Sequence, residues 1–303
     1  MGNKKNSLDE KPVISIITPS FNQGEYVGDT VRSVLNQDYP NIQYMVVDGG
    51  STDQTLEVLD KYRDKLELIV EPDDGQVDAL LKGFARAHGD IVTWLNADDV
   101  YIFRDTLSKV VSLFHTTPHI SVISGSSALI DSGNKLLQVY RAPPRFSHKQ
   151  LMIYDYIRQP ATFFRSCVLR GNDLDRTLTC AFDYDLWLRL AKDFKFMMVR
   201  DILAGIRRHS EMKTIRLSKI MREESEAVRA RYKHIINISL LDKMNGVALR
   251  AVNKVAGLSL VAGIYKDTKH LERSEKRLAV PITTDNFART CLRQLLNHRG
   301  MLF

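Results

Sequence analysis

The chain has 303 residues, of which 44% are hydrophobic and 26% are charged, values ordinary for a globular protein of one or two domains. No apolar run reaches the length of a transmembrane helix, and the polar residues 1–11 contain no signal-peptide core, so we expect a cytoplasmic location. The three cysteines, Cys167, Cys180 and Cys291, are widely spaced and favour neither a disulfide framework nor a zinc site.

The net charge of +7 is unevenly distributed along the chain. Residues 1–199 carry 22 Lys and Arg against 26 Asp and Glu, whereas residues 200–303 carry 21 against 10. A basic C-terminal region could contact phosphates, an anionic membrane surface or nucleic acid, and it could also be a solvated face.

The first hundred residues alternate strand and helix signals. Residues 13–18 are apolar on both faces, as buried parallel strands are, and the run breaks at 19–22. Further strands are predicted at 44–47, 66–70 and 91–95, and helices at 26–35, 55–62 and 77–87. This order predicts a parallel sheet with helices on both faces.

Polar residues follow three of these strands. Thr18, Asp48 and Asp98 each lie at the end of a predicted strand. In parallel sheets the ligand binds at the carboxyl ends of the strands, so we expect these residues to converge. The sequence has no Gly-x-Gly-x-x-Gly after the first strand, which weighs against a dinucleotide-binding Rossmann enzyme. It also has no P-loop motif, which weighs against a P-loop nucleotide-binding protein.

Asp98 and Asp99 form an adjacent pair of carboxylates directly after the apolar run 91–95. Such carboxylates repel each other and lose hydration together, so a nearby cation would stabilise them. Hard oxygen ligands suit Mg²⁺ or Mn²⁺, which in turn suit a diphosphate. The alternative is that the pair opens a loop or caps the next helix.

Several ordered motifs over residues 13–210 resemble the family 2 glycosyltransferases, which have the GT-A fold. They lie at 13–22, 33–37, 47–53, 89–91, 96–99, 159–165, 182–189 and 208–209. The resemblance implies a Rossmann-like α/β domain, with a mixed sheet around a parallel core and helices on both sides. We therefore expect a flexible N-terminus (1–12), a domain with a nucleotide-sugar-binding half (13–100) and an acceptor-binding half (101–210), and a basic, mainly helical C-terminal region (211–303).

The resemblance also implies a donor site. Asn96-Ala97-Asp98-Asp99 matches the family's Asp-x-Asp metal motif, with Asp99 expected as the direct ligand and Asp98 directed toward the donor ribose or sugar. The cofactor would be Mn²⁺ or Mg²⁺, acting as Lewis acid and template. Donor or nucleotide contacts are implied for Thr18, Pro19, Asp48, Asp74, Gln76 and Asp98.

The late basic motif and the acceptor side are expected from the same resemblance. His209 would be a metal ligand, and Arg207 or Arg208 would bind the diphosphate. Gln159 and Trp187 would face the acceptor, although the apolar neighbours of Trp187 leave core packing as the alternative.

An acceptor hydroxyl is a poor nucleophile at neutral pH, and a positioned carboxylate can take its proton. The family position of this base is matched by Asp183, with Asp185 in reserve. Two positions along a helix do not share a face, so these carboxylates should have separate roles. The alternative for both is stabilisation of a helix N-terminus.

The chain departs from the family pattern at several positions. Relatives often carry a second acid where Gly49 stands, polar residues where Leu80 and Leu81 stand, and Glu where Phe182 stands. The processive-synthase motif Gln-x-x-Arg-Trp is missing, so transfer of a single residue is favoured over polymerisation.

The function implied is inverting transfer from a nucleotide-diphosphate sugar, UDP preferred, to a saccharide or lipid-linked acceptor in bacterial polysaccharide or glycoconjugate biosynthesis. The alternatives are a catalytically silent nucleotide-binding scaffold, which Leu80 and Leu81 allow, and a GT-A-like nucleotidyltransferase. The second would normally carry a Gly-rich basic loop after the first strand, where residues 19–22 stand here. We expect no nucleic-acid partner. The C-terminal helices would contact a membrane surface, pack on the domain or form a homodimer.

Overall fold

The structure, a computed structural model, describes residues 11–233 and 278–281. The strands are β1 (Ile14–Ser20), β2 (Ile42–Asp48), β3 (Glu67–Val70), β4 (Ile91–Trp94), β5 (Val122–Asp131), β6 (Leu136–Tyr140), β7 (Thr162–Arg165) and β8 (Phe196–Arg208). The helices are α1 (Val27–Leu35), α2 (Thr55–Asp60), α3 (Gln76–Arg86), α4 (Thr106–Thr116), α5 (His148–Ile153), α6 (Phe182–Asp193), α7 (Lys213–Arg216) and α8 (Ser218–Tyr232). The strand and helix order predicted for the first hundred residues is confirmed.

The strands form one mixed sheet in the order β3-β2-β1-β4-β7-β5-β6, with β8 paired in parallel to β5. The first four strands in this order are parallel, and β7 joins β4 antiparallel. Because β1 lies between β2 and β4, the chain changes direction across the sheet beside β1. Ligands bind at such a switch point in open α/β sheets.

Strand β1 continues through Pro19, where the sequence predicted a break. Alternate residues of β1 bond to opposite neighbours: Ile14 N donates to Asn41 on the β2 side, and Ile17 O accepts from Leu95 on the β4 side. Pro19 has the same parity as Ile17, and its register partner lies only in β2, because β4 has already ended. The missing N–H of this proline therefore costs the sheet no hydrogen bond.

Each face of the sheet is covered by helices that bury an apolar side. One core cluster joins the sheet to α1, α2 and α4, through residues such as Ile16, Val31 and Val110. The cluster on the other face joins it to α3, α5, α6 and α8, through residues such as Ile17 and Leu80. The sheet thus holds its carboxyl edge rigidly between two packed layers.

Residues 278–281 return to this domain. Ala279 N donates to Ile102 O at 2.8 Å, and Asn36 Nδ2 donates to Ala279 O at 3.0 Å. Val280 is buried in a third core cluster that includes Val100. This four-residue segment of the C-terminal region packs on the domain, while the alternatives for the C-terminal helices beyond α8 stay predictions.

The other expectations for the termini fall largely beyond the described residues. These include the flexible N-terminus at 1–10 and the helices expected within 234–277 and 282–303. Of the predicted C-terminal helices, α7 and α8 are described. Within the described residues no helix is long and apolar enough to cross a membrane.

Candidate active site

The end of β8 is brought beside the end of β4 by a short antiparallel bridge. Val100 N donates to Gly205 O at 3.0 Å, and Gly205 N donates to Val100 O at 2.7 Å. A Cβ on Gly205 would lie 3.1 Å from the side chains of Val100 and Ile102, so the absence of a side chain permits this approach. The bridge carries the residues after Gly205 to the Asp98-Asp99 pair.

Asp98 and His209 meet at this edge. His209 Nε2 lies 3.0 Å from Asp98 Oδ2, and the two side chains are 5% and 20% exposed, respectively. The His209 ring also packs on Tyr26, with ring centroids 4.5 Å apart. An imidazole and a carboxylate at this spacing, on a partly open surface, can together hold a divalent cation.

Asp99 faces inward, which differs from its expected role as the direct metal ligand. It is 4% exposed, and its oxygens accept hydrogen bonds from Arg207 N at 3.1 Å and Asn96 Nδ2 at 3.2 Å. Burial, together with the charge of Asp98, raises the pKa of Asp99 well above its usual range. The carboxylate available to a ligand at this edge is that of Asp98.

The expectation that Arg207 binds the diphosphate is wrong. Its guanidinium is fully buried and donates to Asp98 O, Asn134 Oδ1 and Asp29 Oδ2, at 2.9, 2.7 and 3.1 Å. These bonds join the loop after β4, the turn between β5 and β6, and helix α1, and they leave the guanidinium group no path to a ligand. Arg208, the next residue along β8, is exposed. Its diphosphate role stays a prediction.

The residues expected around the nucleotide lie at the ends of β1 and β2. The Asp48 carboxylate is buried and accepts from Gly50 N, Ser51 N and Ser51 Oγ, so it shapes its own loop. Thr18 is also buried, with its hydroxyl 3.2 Å from Tyr44 Oη, and Pro19 follows it in the strand. The strand ends therefore meet as predicted, while the base contact of Asp48 stays a prediction.

A chain of amides supports the metal motif from behind. Gln76 Nε2 donates to Asn96 Oδ1 at 2.8 Å, and Asn96 Nδ2 lies 3.3 Å from Gln159 Oε1, which accepts from it. Gln159 Nε2 donates to Trp94 O at 2.6 Å. We expected Gln159 to face the acceptor. It is instead buried, and it positions Asn96.

Asp183 lies in the first turn of α6 and is half-buried. Burial raises its pKa to about 6, although a hydrogen bond from Tyr184 N and the charges of Lys213 and Arg158 oppose the shift. A carboxylate with this pKa is largely ionised at neutral pH and still basic enough to accept a proton.

The loop before α6 is held by α8. The Glu224 carboxylate accepts hydrogen bonds from the backbone N–H groups of Thr179, Cys180 and Ala181, at 2.8, 2.7 and 2.9 Å. These bonds fix the point at which α6 begins and hence the position of Asp183.

Three candidate site residues were not anticipated from the sequence. Asp155 is an electrostatic neighbour of Asp183, and burial followed by the charge of Asp183 raises its pKa to about 7. Lys213 Nζ donates to Gln76 Oε1 at 2.9 Å and lies close enough to Asp183 to lower its pKa. Phe21 is 57% exposed just past the end of β1. The sequence signal that could have identified Asp155 is its position between two tyrosines, at 154–156.

The reserve-base role expected for Asp185 and the acceptor-side role expected for Trp187 are both wrong. Asp185, the reserve base, is buried and accepts from Arg189, Arg231 and Tyr232, so it joins α6 to α8. Trp187 is fully buried and stacks on Trp94 with ring centroids 5.6 Å apart. Both face away from any ligand, and core packing is the correct reading of Trp187.

The metal-ligating atoms of Asp98 and His209, at the end of β4, fit a divalent cation that also binds a substrate. Among residues 11–233 and 278–281, no group of three or more His, Cys, Asp or Glu side chains forms a complete cage. Magnesium and similar ions commonly take one or two protein ligands and complete their shell with substrate phosphates and water. Asp98 and His209 supply such an incomplete set.

Residues 15–179, more than half of the chain, match the family described as glycosyl transferase family 2. The chain is 32% identical over 142 residues to the putative teichuronic acid biosynthesis glycosyltransferase TuaG of Bacillus subtilis, covering 46% of this chain and 56% of that protein. It is 26% identical over 211 residues to the uncharacterized glycosyltransferase RP339 of Rickettsia prowazekii, covering 67% and 66%. Each match spans less than two thirds of the relative's length.

Solved structures share the architecture. TarS 1–349 of S. aureus in complex with UDP aligns with a TM-score of 0.57 at 22% identity, over 77% of this chain and 68% of that one. Mannosyltransferase PcManGT from Pyrobaculum calidifontis, in complex with GDP-Man and Mn²⁺, aligns with a TM-score of 0.58 at 17% identity, over 84% and 76%. The predicted GT-A fold is thereby confirmed.

Proposed function

The chain belongs to glycosyl transferase family 2, and we propose that it moves one sugar, with inversion, from a nucleotide-diphosphate donor to a hydroxyl of a saccharide or lipid-linked acceptor. The observation that carries the proposal is the 3.0 Å approach of His209 Nε2 to Asp98 Oδ2 at the carboxyl edge of the sheet. This edge is where α/β folds of this kind bind their ligands.

Asp98 and His209 would hold the divalent cation, Mn²⁺ or Mg²⁺. When bound, the cation neutralises negative charge that develops on the leaving diphosphate. We assign the ligand role to Asp98 instead of Asp99 because the Asp99 oxygens are buried and accept bonds from Arg207 N and Asn96. The exposed Arg208 stays available for a phosphate oxygen.

Asp183 is the proposed general base. It takes the proton from the acceptor hydroxyl as that oxygen forms a bond to the anomeric carbon of the donor sugar. The bond from this carbon to the diphosphate oxygen breaks with its electron pair, so a nucleoside diphosphate leaves. The position of Lys213 beside Asp183 favours the ionised carboxylate needed at the start of the step.

The nucleotide would lie at the ends of β1 and β2, where Phe21 offers an exposed aromatic face for the base. Asp74 is also exposed at this edge, in the loop before α3. The structural neighbours were solved with UDP, UDP-GlcNAc and GDP-Man, and we retain UDP as the preferred donor nucleotide. The name of TuaG supports a place in polysaccharide biosynthesis.

The scaffold alternative loses much of its support at α3. Leu80, which stands where relatives often carry a polar residue, is fully buried in the core. Leu81 is partly buried against the same core, so in this chain the two leucines serve packing.

Calorimetric binding of UDP, GDP and dTDP, each with and without Mn²⁺, tests the proposal. We expect one nucleotide to bind tightly only when the metal is present, and the Asp98→Asn variant to lose that metal dependence. Failure of all three nucleotides to bind in the presence of Mn²⁺ would contradict the proposal and favour the silent scaffold.

A further inference from the structure

A cavity of about 470 Å³ lies beside the proposed base and has no role in the steps described above. It is bounded by β6, by the segment that follows α5, and by α8. Its volume falls within the range of about 300–1,000 Å³ that is typical of small-molecule sites.

Two residues that line the cavity are neighbours of Asp183, and they place the cavity beside the proposed base. Asp155 and Tyr184 both line it. The charge of Asp183 acts directly on Asp155, and Tyr184 is the next residue after Asp183 in α6. Ser225 of α8 also lines the cavity, and its neighbour Glu224 holds the loop in front of α6. The cavity and Asp183 are therefore fixed relative to each other.

The lining of the cavity is strongly basic. Arg141, Arg158 and Arg229 line it, against one carboxylate, Asp155. Within residues 11–233 and 278–281, none of the three arginines makes a salt bridge. The charge of Arg158 acts on Asp155 and Asp183 without a salt bridge, so all three guanidinium groups keep hydrogen-bond donors for a ligand. Several such groups on one concave surface are typical of sites that bind carboxylates and phosphates.

Arg158 is held in place for such a contact. Its guanidinium carbon lies 4.5 Å from the centre of the Tyr140 ring, a cation–π distance. Its Nε is buried and has no hydrogen-bond partner among the described residues. The stacking on Tyr140 therefore holds the guanidinium group in one orientation at the wall of the cavity.

We propose that this cavity binds an anionic group, a carboxylate or a phosphate, carried by the acceptor saccharide. The inference rests on the proposed function, because it is the position beside Asp183 that identifies the occupant as the acceptor. The arginines would fix the anion while the tyrosine rings pack against the sugar. The hydroxyl to be glycosylated would then lie toward Asp183.

Ligand-observed NMR titrations with glucose, glucuronate and glucose 1-phosphate, in the presence of UDP and Mg²⁺, test this proposal. We expect one or both anionic sugars to bind at least about tenfold more tightly than glucose, as a charge-assisted hydrogen bond supplies. The relative affinities of glucuronate and glucose 1-phosphate then identify the carboxylate or the phosphate as the natural group.

Arg158→Gln and Arg229→Gln should each remove most of this preference. Arg145→Gln is the matched control, because Arg145 is exposed and does not line the cavity. Arg229 lies on a surface helix, so its variant carries the test if Arg158→Gln does not fold. Equal binding of glucose and both anions by the unaltered protein would overturn the inference, and so would an equal loss in Arg145→Gln.

The same samples separate this inference from the proposed function. If UDP binds with the metal and the anionic sugars show no advantage, the cavity inference fails and the transferase proposal stands. If no nucleotide binds with the metal, the proposed function fails, and binding of the anions then identifies an anion site of another kind.

Discussion

The imidazole of His209 lies 3.0 Å from the carboxylate of Asp98, although the two residues are 111 positions apart in the chain. The adjacent Asp99 instead accepts a hydrogen bond from the backbone of Arg207. Two neighbouring aspartates therefore have different environments: Asp98 is partly exposed at the carboxyl edge of the sheet, and Asp99 is buried and holds β8 against the end of β4.

Asp98→Asn should abolish metal-dependent binding of UDP, because the amide lacks the charge that a divalent cation needs. We expect a loss of more than about 100-fold, the upper end of what even outer-shell partners of a metal contribute. Calorimetry with and without Mn²⁺ measures it. Asp99→Asn is the matched control and should retain most of the metal dependence. The opposite pattern would return the ligand role to Asp99.

Asp183→Asn should lower kcat by about 10²–10⁴, the usual contribution of a general base, and leave the affinity for UDP with metal unchanged. Steady-state rates at saturating substrate check this. Asp185→Asn should instead lower the free energy of unfolding by about 1–3 kcal/mol, because it breaks bonds to Arg189, Arg231 and Tyr232. Full activity in Asp183→Asn would remove it from the mechanism.

The rate should rise with pH and level off above the pKa of Asp183, which is about 6. Only the ionised carboxylate can accept the acceptor proton, so kcat should fall about tenfold per pH unit well below that value. Asp155, with a pKa of about 7, is largely protonated and uncharged in the range where Asp183 titrates, so Asp155→Asn should leave this acid limb nearly in place. A clear shift of the limb to lower pH would show that Asp155 ionises before Asp183 and raises the pKa of the base.

The same two carboxyl groups link stability to pH. Their folded pKa values, about 6 and about 7, lie above the usual 3.8. Between pH 4 and pH 7 the folded protein therefore binds more protons than the unfolded chain. Its free energy of unfolding should fall as the pH rises through this range. Denaturation curves across this range measure the slope, which should be shallower in Asp155→Asn.

Arg207→Met should lower the free energy of unfolding by about 3–5 kcal/mol, since it leaves the partners of a buried cation unpaired. Arg208→Met, at an exposed position, should stay within about 0.5 kcal/mol of the unaltered protein. Chemical denaturation compares the two. Unchanged stability in Arg207→Met, together with lost nucleotide binding, would restore the diphosphate role.

The parallel core was predictable because its strands are apolar on both faces and end at polar loops. Residues 13–18 carry no alternation, and this marks a strand covered by helices on both sides. The convergence of Asp48 and Asp98 followed from chain order alone, since β2 and β4 flank β1.

The orientations within the site were not predictable, because they depend on register. Arg207 and Arg208 are adjacent and alike in sequence, yet successive residues of a strand point to opposite sides, so one is buried and the other exposed. The pairing of β8 with β5 and the bridge between Val100 and Gly205 together set which arginine is buried and which is exposed. The burial of Trp187 was likewise not predictable, because a sequence motif does not distinguish a ring at the surface from one in the core.

Val280, which closes the core cluster around Val100 and Ile102, lies about a hundred residues beyond the segment that matches the family. A chain that ended after α8, at residue 233, would keep Asp98, Asp183 and His209 but would expose the apolar surface that Val280 and Ala279 now cover. Exposed apolar patches of this kind promote self-association. A shortened enzyme would therefore be prone to aggregate for a reason unrelated to its chemistry, and replacing Ile102 with a polar residue would be the natural remedy.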